Sequence, residues 1–404
     1  MKYIIILGDG MADEPIAALG NKTPLQVAST PNIDKLAQMG ASGMLQTVPE
    51  GFHPGSEIAN LSVLGYNIAE VFEGRGSLEA ASMGIDILTN EMAMRCNLIC
   101  IENEKIKNHS AGHISTQEAK VLIDYLNQEL SCDDISLFSG VSYRHLLKLK
   151  NGNKDLDTTP PHDAVGTLFR DVLIKSKTKD AEHTTEILNK LIIRSQELLK
   201  NHPVNLERIK RGKDSANSIW PWSPGYKPQM KKLSDIYPIK SGAVISAVDL
   251  INGIGVYAGL EPIAVEGATG LYDTNYEGKT QAALKALKDK DFVYLHIEAS
   301  DEAGHEGDID LKIKTIEYLD QRVVKPILEE LKNWDQEVCI ALLPDHPTPC
   351  SIKTHTSKPV PFIIYKPHNK KRDEVCVYDE FAAERGKYGL LKGDEFMKML
   401  MNDE

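Results

Sequence analysis

Short apolar runs recur along the chain, and polar segments with the spacing of amphipathic helices follow them. Three of these runs are continuous, at residues 3–7, 292–297 and 338–343. Continuous runs of this length are typical of strands buried on both faces of a parallel sheet. The intervening segments carry helix signals, such as Thr30 at a capping position followed by Pro31 in the first turn. The pattern therefore predicts an α/β protein.

The strand-and-helix pattern changes in the middle of the chain. A loop rich in glycine and proline at 49–55 leads into a helical pattern that begins near Ser56. From about residue 67 to residue 237, strand-like segments alternate with longer helical ones, and proline and glycine clusters separate them. The first pattern then resumes. We therefore predict a sheet domain formed by residues 1–66 and 238–404, with a smaller α/β (α+β) domain inserted at 67–237.

Composition and charge narrow the class of protein. The 404 residues carry a formal net charge of -12 at pH 7, which argues against a nucleic-acid partner, because such a protein needs a basic surface to contact phosphates. The six cysteines form no Cys-x-x-Cys pair, so we predict buried thiols in a reducing compartment. No stretch reaches the roughly 18 apolar residues of a membrane span, and the N-terminal run is too short for a signal peptide. These features predict a cytoplasmic protein without a membrane partner, either a monomer or a small homo-oligomer.

Carboxylates and imidazoles stand where the apolar runs end. They are Asp9 after the first run, Asp301 and His305 after the second, and Asp345, His346 and His355 after the third. Each alone has an ordinary explanation as a turn or surface residue. The carboxyl ends of parallel strands, however, meet at one edge of a sheet, where open α/β proteins build their active sites. The shared position of these residues therefore favours a functional site.

Ser56 adds a hydroxyl group to this set of side chains. Read alone, a serine between a Pro-Gly pair and a helix is a helix cap. Together, the donors suffice for two metal sites, one with two carboxylates, a histidine and the serine oxygen, the other with a carboxylate and two histidines. Mixed oxygen and nitrogen ligands suit manganese, zinc or magnesium. Because a hydroxyl bound to a divalent cation loses its proton more easily, the set predicts phosphoryl or ester chemistry with Ser56 as nucleophile.

Short motifs spread over nearly the whole chain carry a family resemblance. The metal-type residues stand in Gly8-Asp9-Gly10, Pro54-Gly55-Ser56, Asp301-Glu302-Ala303-Gly304-His305 and Pro344-Asp345-His346. Further motifs are Thr23-Pro24-Leu25, Thr30-Pro31-Asn32, Gly74-Arg75-Gly76, Glu266-Gly267-Ala268-Thr269-Gly270 and Thr348-Pro349-Cys350. Together they resemble the alkaline phosphatase superfamily and, within it, the archaeal-type cofactor-independent phosphoglycerate mutases.

The resemblance implies a fold, a reaction and a set of site residues. The fold is an alkaline-phosphatase-like three-layer sheet domain with an inserted lid domain, and the substrate is a small phosphorylated metabolite, 2- or 3-phosphoglycerate. One divalent cation is expected on Asp9, Ser56, Asp345 and His346, and the other on Asp301, His305 and His355. Mn²⁺ is the expected metal, with Mg²⁺, Zn²⁺ and Co²⁺ as alternatives, and 2,3-bisphosphoglycerate is not expected as a cofactor. The candidate substrate-binding residues are His113, Arg144, His162, Asp163 and Lys240.

Three departures from the family's pattern leave the phosphoryl acceptor open. Archaeal relatives carry arginine at the position of His113, where the longer bacterial mutases have histidine, and they carry lysine near Asn252. Residues 220–225 replace a loop that contains arginine. Arginine binds phosphate and carboxylate in a bidentate manner, so the loss of these cations weakens the case for a trianionic substrate. Trp220 and Trp222 indicate either a less charged acceptor or packing alone. Two alternatives therefore remain on the same scaffold: a homoserine kinase-like phosphotransferase, and a hydrolase of phosphomonoesters or phosphonates.

Overall fold

The structure is a computed structural model that describes residues 1–368 and 372–402. The chain forms two compact units. The first consists of Met1–Phe72 and Gln229–Glu404, and the second of Glu73–Pro228. The sequence predicts the two boundaries after residues 66 and 237.

The strands and helices of both units are numbered here in chain order. The strands are β1 (Lys2–Gly8), β2 (Ala41–Gln46), β3 (Glu91–Glu102), β4 (Lys105–Asn108), β5 (Ile135–Phe138), β6 (Arg144–Lys150), β7 (Leu156–Asp157), β8 (Lys175–Ser176), β9 (Ser218–Tyr226), β10 (Gly242–Ile245), β11 (Glu261–Pro262), β12 (Phe292–Ile297), β13 (Val338–Leu343), β14 (Val360–Tyr365) and β15 (Leu390–Lys392). The α-helices are α1 (Pro24–Val27), α2 (Pro31–Met39), α3 (Ser56–Val63), α4 (Ile68–Val71), α5 (Arg75–Ser82), α6 (Thr116–Leu130), α7 (Glu182–Leu199), α8 (Pro203–Lys210), α9 (Leu233–Ile236), α10 (Asp249–Tyr257), α11 (Tyr276–Asp289), α12 (Ala299–Glu306), α13 (Ile309–Tyr318), α14 (Lys325–Leu331), α15 (Glu380–Ala383) and α16 (Glu395–Met401).

The first unit is built on a sheet with β1 near its centre. The strand order is β11-β10-β12-β1-β13-β14-β2-β15. β1 pairs in parallel with β12 and with β13, and Gly8 lies opposite Ile297 while Leu7 lies opposite Leu343. The three apolar runs of the sequence are therefore adjacent strands whose carboxyl ends lie at one edge of the sheet.

Helices cover both faces of this sheet. On one face, Ile4 and Ile6 of β1 lie in a buried apolar cluster with residues of α2, α11, α13 and α14. On the other face, the Tyr3 hydroxyl donates to a carbonyl of α16, and the Tyr294 hydroxyl donates to Asn60 of α3. Alternate residues of each strand point to opposite faces, so both faces are buried. The predicted α/β architecture with three layers is confirmed.

The second unit has a sheet and a core of its own. β3 is the long central strand, and β4, β6 and β9 all pair with it in antiparallel fashion. One of the proline and glycine clusters that were expected to separate the elements, at residues 220–228, lies mostly inside a strand instead, because β9 covers Ser218–Tyr226. Pro221 and Pro224 are tolerated there, since β9 is described as pairing with β3 alone and prolines are accepted in edge strands. Trp220 and Trp222 are buried in the apolar cluster of this unit, which supports the packing interpretation of these two residues.

The cap of α2 differs from its prediction. Thr30 precedes the first helical residue as expected, but its side chain makes no capping hydrogen bond. The Asp320 carboxylate accepts instead from the backbone N–H groups of Asn32 and Ile33, at 2.8 and 2.7 Å. A distant acidic side chain thus satisfies the free donors at this helix start.

The prediction of buried thiols is correct for four of the six cysteines. Cys96, Cys100, Cys339 and Cys350 are buried thiols as expected, whereas Cys132 and Cys376 are exposed, so the prediction is wrong for these two. Among the described residues, no helix combines the length and the apolar character that a membrane crossing requires.

Glu380 is a buried carboxylate that accepts hydrogen bonds from the Asp13 backbone N–H at 3.0 Å and from Thr23 Oγ1 at 2.7 Å. Burial raises the pKa of Glu380 to about 7. In the unfolded chain, the Glu380 carboxyl ionises near the ordinary pKa of glutamate, about 4.5. The folded state therefore loses stability as the pH rises from about 4.5 to about 7, by roughly 1.4 kcal/mol per pH unit. Glu380→Gln is therefore expected to unfold at a higher temperature than the unaltered protein at about pH 8. The gain should vanish at about pH 4.5.

Thermal unfolding at the two pH values tests this expectation. Glu384→Gln is the matched control, because it removes the same charge from an exposed position at the end of the same short helix. Equal gains in the two variants, or no gain in Glu380→Gln near pH 8, would contradict it.

Candidate active site

The predicted metal ligands lie together at the carboxyl edge of the first unit's sheet. Asp9 follows β1 directly, and Asp345 and His346 follow the end of β13. Asp301 and His305 lie in α12, which begins two residues after β12. The residues between them are helical, so Asp301 and His305 are not the turn residues that each could be when read alone. Since residues four apart share a helix face, Asp301 Oδ2 lies 3.2 Å from His305 Nε2.

Ser56 lies at the start of α3 and faces the same cluster. It is the first helical residue, and Gly55 occupies the capping position, so Ser56 is not the helix cap that its isolated context suggests. Its Oγ lies 3.2 Å from His346 Nε2. The N-terminus of a helix carries partial positive charge and free N–H groups, which favours an anion at this hydroxyl.

One group of ligand atoms converges around His346 Nε2. Besides Ser56 Oγ, Asp345 Oδ2 lies 3.4 Å and Asp9 Oδ1 lies 3.6 Å from this nitrogen. The ligand atoms of Asp9, Asp345 and His346 all lie within 4.8 Å of one another. The structure thus brings together the four residues that the resemblance assigns to one cation.

A second group surrounds Asp301. Nε2 of His305 and Nε2 of His355 are 2.9 Å apart, and His355 Nε2 lies 3.4 Å from Asp301 Oδ1. The rings of His346 and His355 stack with their centroids 3.9 Å apart, and the ligand atoms of Asp301, His346 and His355 also lie within 4.8 Å of one another. The two groups are therefore contiguous, with His346 at their junction.

Buried carboxylates are crowded together at this site. Burial and the neighbouring carboxylates of Asp345 and Asp301 raise the pKa of Asp9 well above its usual range. Burial alone would raise the pKa of Asp301 too, but contacts with His305 and His355 outweigh it and hold that pKa well below its usual range. The contact with Asp301 raises the pKa of His305 to about 9. Asp9 Oδ1 is buried and has no hydrogen-bond partner within the described residues, so the donor set fits cations that would satisfy this oxygen and balance the carboxylates.

Gly10 permits the close approach of the β1 loop to α12. Its φ is +60°, and a Cβ atom there would lie 2.4 Å from Asp301 Oδ1 and 2.7 Å from the Asp301 Cα. Gly10 also donates its backbone N–H to Asp345 Oδ1 at 3.2 Å. A residue without a side chain is therefore needed between the two groups of ligands.

Several residues that support the ligands were missed by the sequence analysis. Asn60 donates from Nδ2 to Asp345 Oδ2 at 2.8 Å and accepts from the Tyr294 hydroxyl. Thr348 donates to Asp301 Oδ1. His296 contacts Asp9. One usable signal was the alternation of Tyr294 and His296 inside an apolar strand, which places both polar groups on one face.

Four of the five predicted substrate-binding residues lie close together in the second unit, around Tyr143 and His109, whose ring centroids are 5.8 Å apart. Lys240 belongs to the first unit. His113, Arg144, His162 and Asp163 belong to the second unit, and His113 and Arg144 both contact the ring of Tyr143. His162 lies against His109, with ring centroids 6.1 Å apart. All four side chains are exposed, and they stay predicted substrate-binding residues.

The structure places Lys240 away from the predicted metal ligands. It precedes β10, and β10 runs parallel to β12 with Gly242 opposite Phe292, the first residue of β12. Lys240 therefore lies at the amino edge of the sheet, whereas the metal-type residues lie at the carboxyl edge. A strand of six residues separates these edges by roughly 20 Å, so the structure does not bring Lys240 to the cluster.

Comparison with known proteins places this site in a family. The sequence model of a family described as 2,3-bisphosphoglycerate-independent phosphoglycerate mutase matches residues 37–205. A protein of that name from Methanosarcina acetivorans is 50% identical over 402 residues, covering 99% of this chain and 100% of the relative. The chain belongs to this family. A probable mutase of the same kind from Geobacter sulfurreducens is 45% identical over 406 residues, covering 100% of both chains, and the resemblance drawn from the motifs is thereby confirmed.

Solved structures agree over the full length of the chain. A protein from Pyrococcus horikoshii superposes with a TM-score of 0.82 at 31% identity, covering 99% of this chain and 96% of that chain. The cofactor-independent phosphoglycerate mutase of Thermoplasma acidophilum superposes with a TM-score of 0.69 at 25% identity, covering 99% of each chain. The fold of this mutase family member is therefore shared with solved proteins along its whole length.

Proposed function

We propose that this family member interconverts 2- and 3-phosphoglycerate through a phosphoserine on Ser56. The observation that carries the proposal is the position of Ser56 Oγ, at the start of α3 and 3.2 Å from His346 Nε2 within the ligand cluster. Full-length likeness to proteins named as mutases favours this reaction over the homoserine kinase-like and hydrolytic alternatives. The six cysteines without disulfide partners fit the cytoplasmic location that we propose with it.

The proposed enzyme uses two divalent cations, with Mn²⁺ as the first choice. Asp9, Ser56, Asp345 and His346 would hold one, and Asp301, His305 and His355 the other. The ligands are oxygens and imidazole nitrogens, which Mn²⁺, Mg²⁺, Zn²⁺ and Co²⁺ all accept to differing degrees. When bound, such ions neutralise phosphoryl oxygens and lower the pKa of a ligated hydroxyl.

Ser56 performs the first transfer in this proposal. As the bond between Ser56 Oγ and phosphorus forms, the bond between phosphorus and the substrate oxygen breaks. The serine hydroxyl loses a proton, and the released alkoxide of the glycerate gains one. The free N–H groups at the start of α3 lie beside the hydroxyl that becomes the phosphate ester, and they stabilise its negative charge.

The second transfer returns the phosphoryl group to the other hydroxyl of the same glycerate. The oxygen at that position attacks phosphorus, and Ser56 Oγ leaves and recovers its proton. Because the serine carries the phosphoryl group in transit, the cycle needs no 2,3-bisphosphoglycerate. His113, Arg144 and His162 stay proposed substrate ligands, since imidazolium and guanidinium groups suit carboxylate and phosphate.

An assay with purified protein tests the proposal. With Mn²⁺ and 3-phosphoglycerate, 2-phosphoglycerate should form without added 2,3-bisphosphoglycerate, and a chelator should abolish turnover until Mn²⁺ is restored. Parallel reactions supply homoserine with a phosphoryl donor, or measure inorganic phosphate release. Phosphorylated homoserine without 2-phosphoglycerate, or phosphate release that equals the loss of substrate, would contradict the proposal and identify the alternative.

A further inference from the structure

One face of β12 presents buried polar groups to the carboxylates of the site. Tyr294 and His296 are alternate residues of this strand, and Glu298 follows two residues later. Their side chains are almost completely inaccessible, with exposures of 1%, 0% and 3%. Buried polar groups are costly unless they have partners, so the partners of these three residues indicate their role. Tyr294 reaches Asp345 through Asn60. His296 lies against Asp9, and Glu298 contacts His296.

Glu298 is fixed by several contacts. Its Oε1 accepts from Ser246 Oγ at 2.8 Å and from the Ala247 backbone N–H at 3.0 Å, and its Oε2 accepts from Lys279 Nζ at 2.6 Å. Burial alone would raise the pKa of Glu298, but Lys279 and His296 outweigh it and hold the pKa at about 2. Glu298 is therefore a carboxylate that accepts hydrogen bonds only, and its Oε1 lies 3.1 Å from His296 Nδ1.

The other ring nitrogen of His296 contacts Asp9. His296 Nε2 lies 3.1 Å from Asp9 Oδ2, a polar contact that lacks the geometry of a hydrogen bond. Asp9 Oδ1 lies toward the other ligands, 3.6 Å from His346 Nε2, and has no hydrogen-bond partner among the described residues. One oxygen of this carboxylate thus lies against the imidazole of His296, and the other is left to the proposed metal site.

We propose that His296, held by Glu298, is a positioning residue that directs Asp9 Oδ1 at the cation. It acts through Asp9 and does not itself contact the reacting atoms. The inference rests on the proposed two-metal site and adds a residue outside the family's metal-ligand motifs. Hydrogen-bonding partners of metal ligands fix ligand orientation, and their loss typically weakens metal affinity by about 10–100-fold.

Two amide replacements separate this role from a structural one. In His296→Gln, the amide nitrogen is placed like Nε2 and keeps the contact with Asp9, whereas in His296→Asn it is placed like Nδ1 and keeps only the contact with Glu298. Both variants are neutral amides, and they differ in which of the two contacts survives. Calorimetric titration of each metal-free protein with Mn²⁺ gives affinity and stoichiometry, and thermal unfolding of the metal-free proteins reports stability.

The proposal predicts that His296→Asn binds one Mn²⁺ about 10–100-fold more weakly than the unaltered protein, while His296→Gln stays within about fivefold. Their metal-free unfolding temperatures should agree. Equal affinities in the two variants would overturn the proposal. An unaltered protein that binds no Mn²⁺ would instead refute the proposed function, so the two failures are distinguishable.

Ser246→Ala keeps the inference testable if both amide variants fail to fold. It removes one hydrogen bond to Glu298 without exposing or unpairing a buried charge. A twofold to fivefold loss of Mn²⁺ affinity at one site, on the order expected for a weakened partner of a ligand, with an unchanged unfolding temperature supports the proposal. Wild-type affinity in this variant would overturn it.

Discussion

Replacing Ser56 with alanine is expected to lower the rate of interconversion of 2- and 3-phosphoglycerate by roughly 10⁴–10⁶-fold, the loss that follows removal of a covalent nucleophile. The physical reason is that no other hydroxyl is placed at the start of α3 beside His346 Nε2 in the described part of the chain. The variant should still fold, because Ser56 Oγ makes no capping bond in the helix. A coupled assay of the purified variant with Mn²⁺ measures the loss.

Ser62→Ala is the matched control for this change. Ser62 is buried in the same helix, and its hydroxyl has no hydrogen-bond partner within the described residues. Ser62→Ala thus also removes one serine hydroxyl from α3, but at a position outside the cluster of predicted metal ligands. Its activity should stay within a few-fold of that of the unaltered protein. Near-normal turnover in Ser56→Ala, or equal losses in both variants, would contradict the proposed nucleophile.

Asp301→Asn is expected to have the second largest effect. Asp301 contacts both His305 and His355, and its ligand atom also lies within 4.8 Å of that of His346. Loss of its charge should remove one of two Mn²⁺ ions from the stoichiometry and lower turnover by roughly 10²–10⁴-fold, since each ion contributes several kcal/mol to stabilising a phosphoryl transition state. Calorimetric titration with Mn²⁺ and the coupled assay measure the two effects.

Glu306→Gln provides the control for Asp301→Asn. Glu306 lies in the same helix, α12, and is exposed, so the change in net charge is the same. It should bind two Mn²⁺ ions and turn over normally. An Asp301→Asn variant that retains both ions would show that Asp301 is not a ligand.

The ligands were predictable because they occupy short motifs directly after apolar runs. Asp9, Asp301 and Asp345 each follow a strand, and parallel pairing brings the ends of those strands together. The strand-end rule therefore located the cluster without knowledge of the tertiary structure. Ser56 read alone has the context of a helix cap, and only its combination with the strand-end carboxylates and histidines marked it as a candidate nucleophile.

The supporting residues and the place of Lys240 were not predictable in the same way. Tyr294 and His296 lie inside an apolar run, and their partners Asn60 and Asp9 are more than 200 positions away in the chain. Lys240 was misplaced because its charge was considered without the direction of β10, which places it at the opposite edge of the sheet. Sequence spacing carries no information on such contacts until strand order and direction are known.

The central claim is that Ser56 carries the phosphoryl group during turnover. Rapid acid quenching of the Mn²⁺-loaded enzyme with 3-phosphoglycerate, followed by mass spectrometry of the peptide that contains Ser56, tests it most directly. The account predicts one phosphoryl group on Ser56 that disappears when substrate is exhausted by a coupled reaction, and none in Ser56→Ala. Steady formation of 2-phosphoglycerate with the phosphoryl group on another residue, or on none, would contradict it.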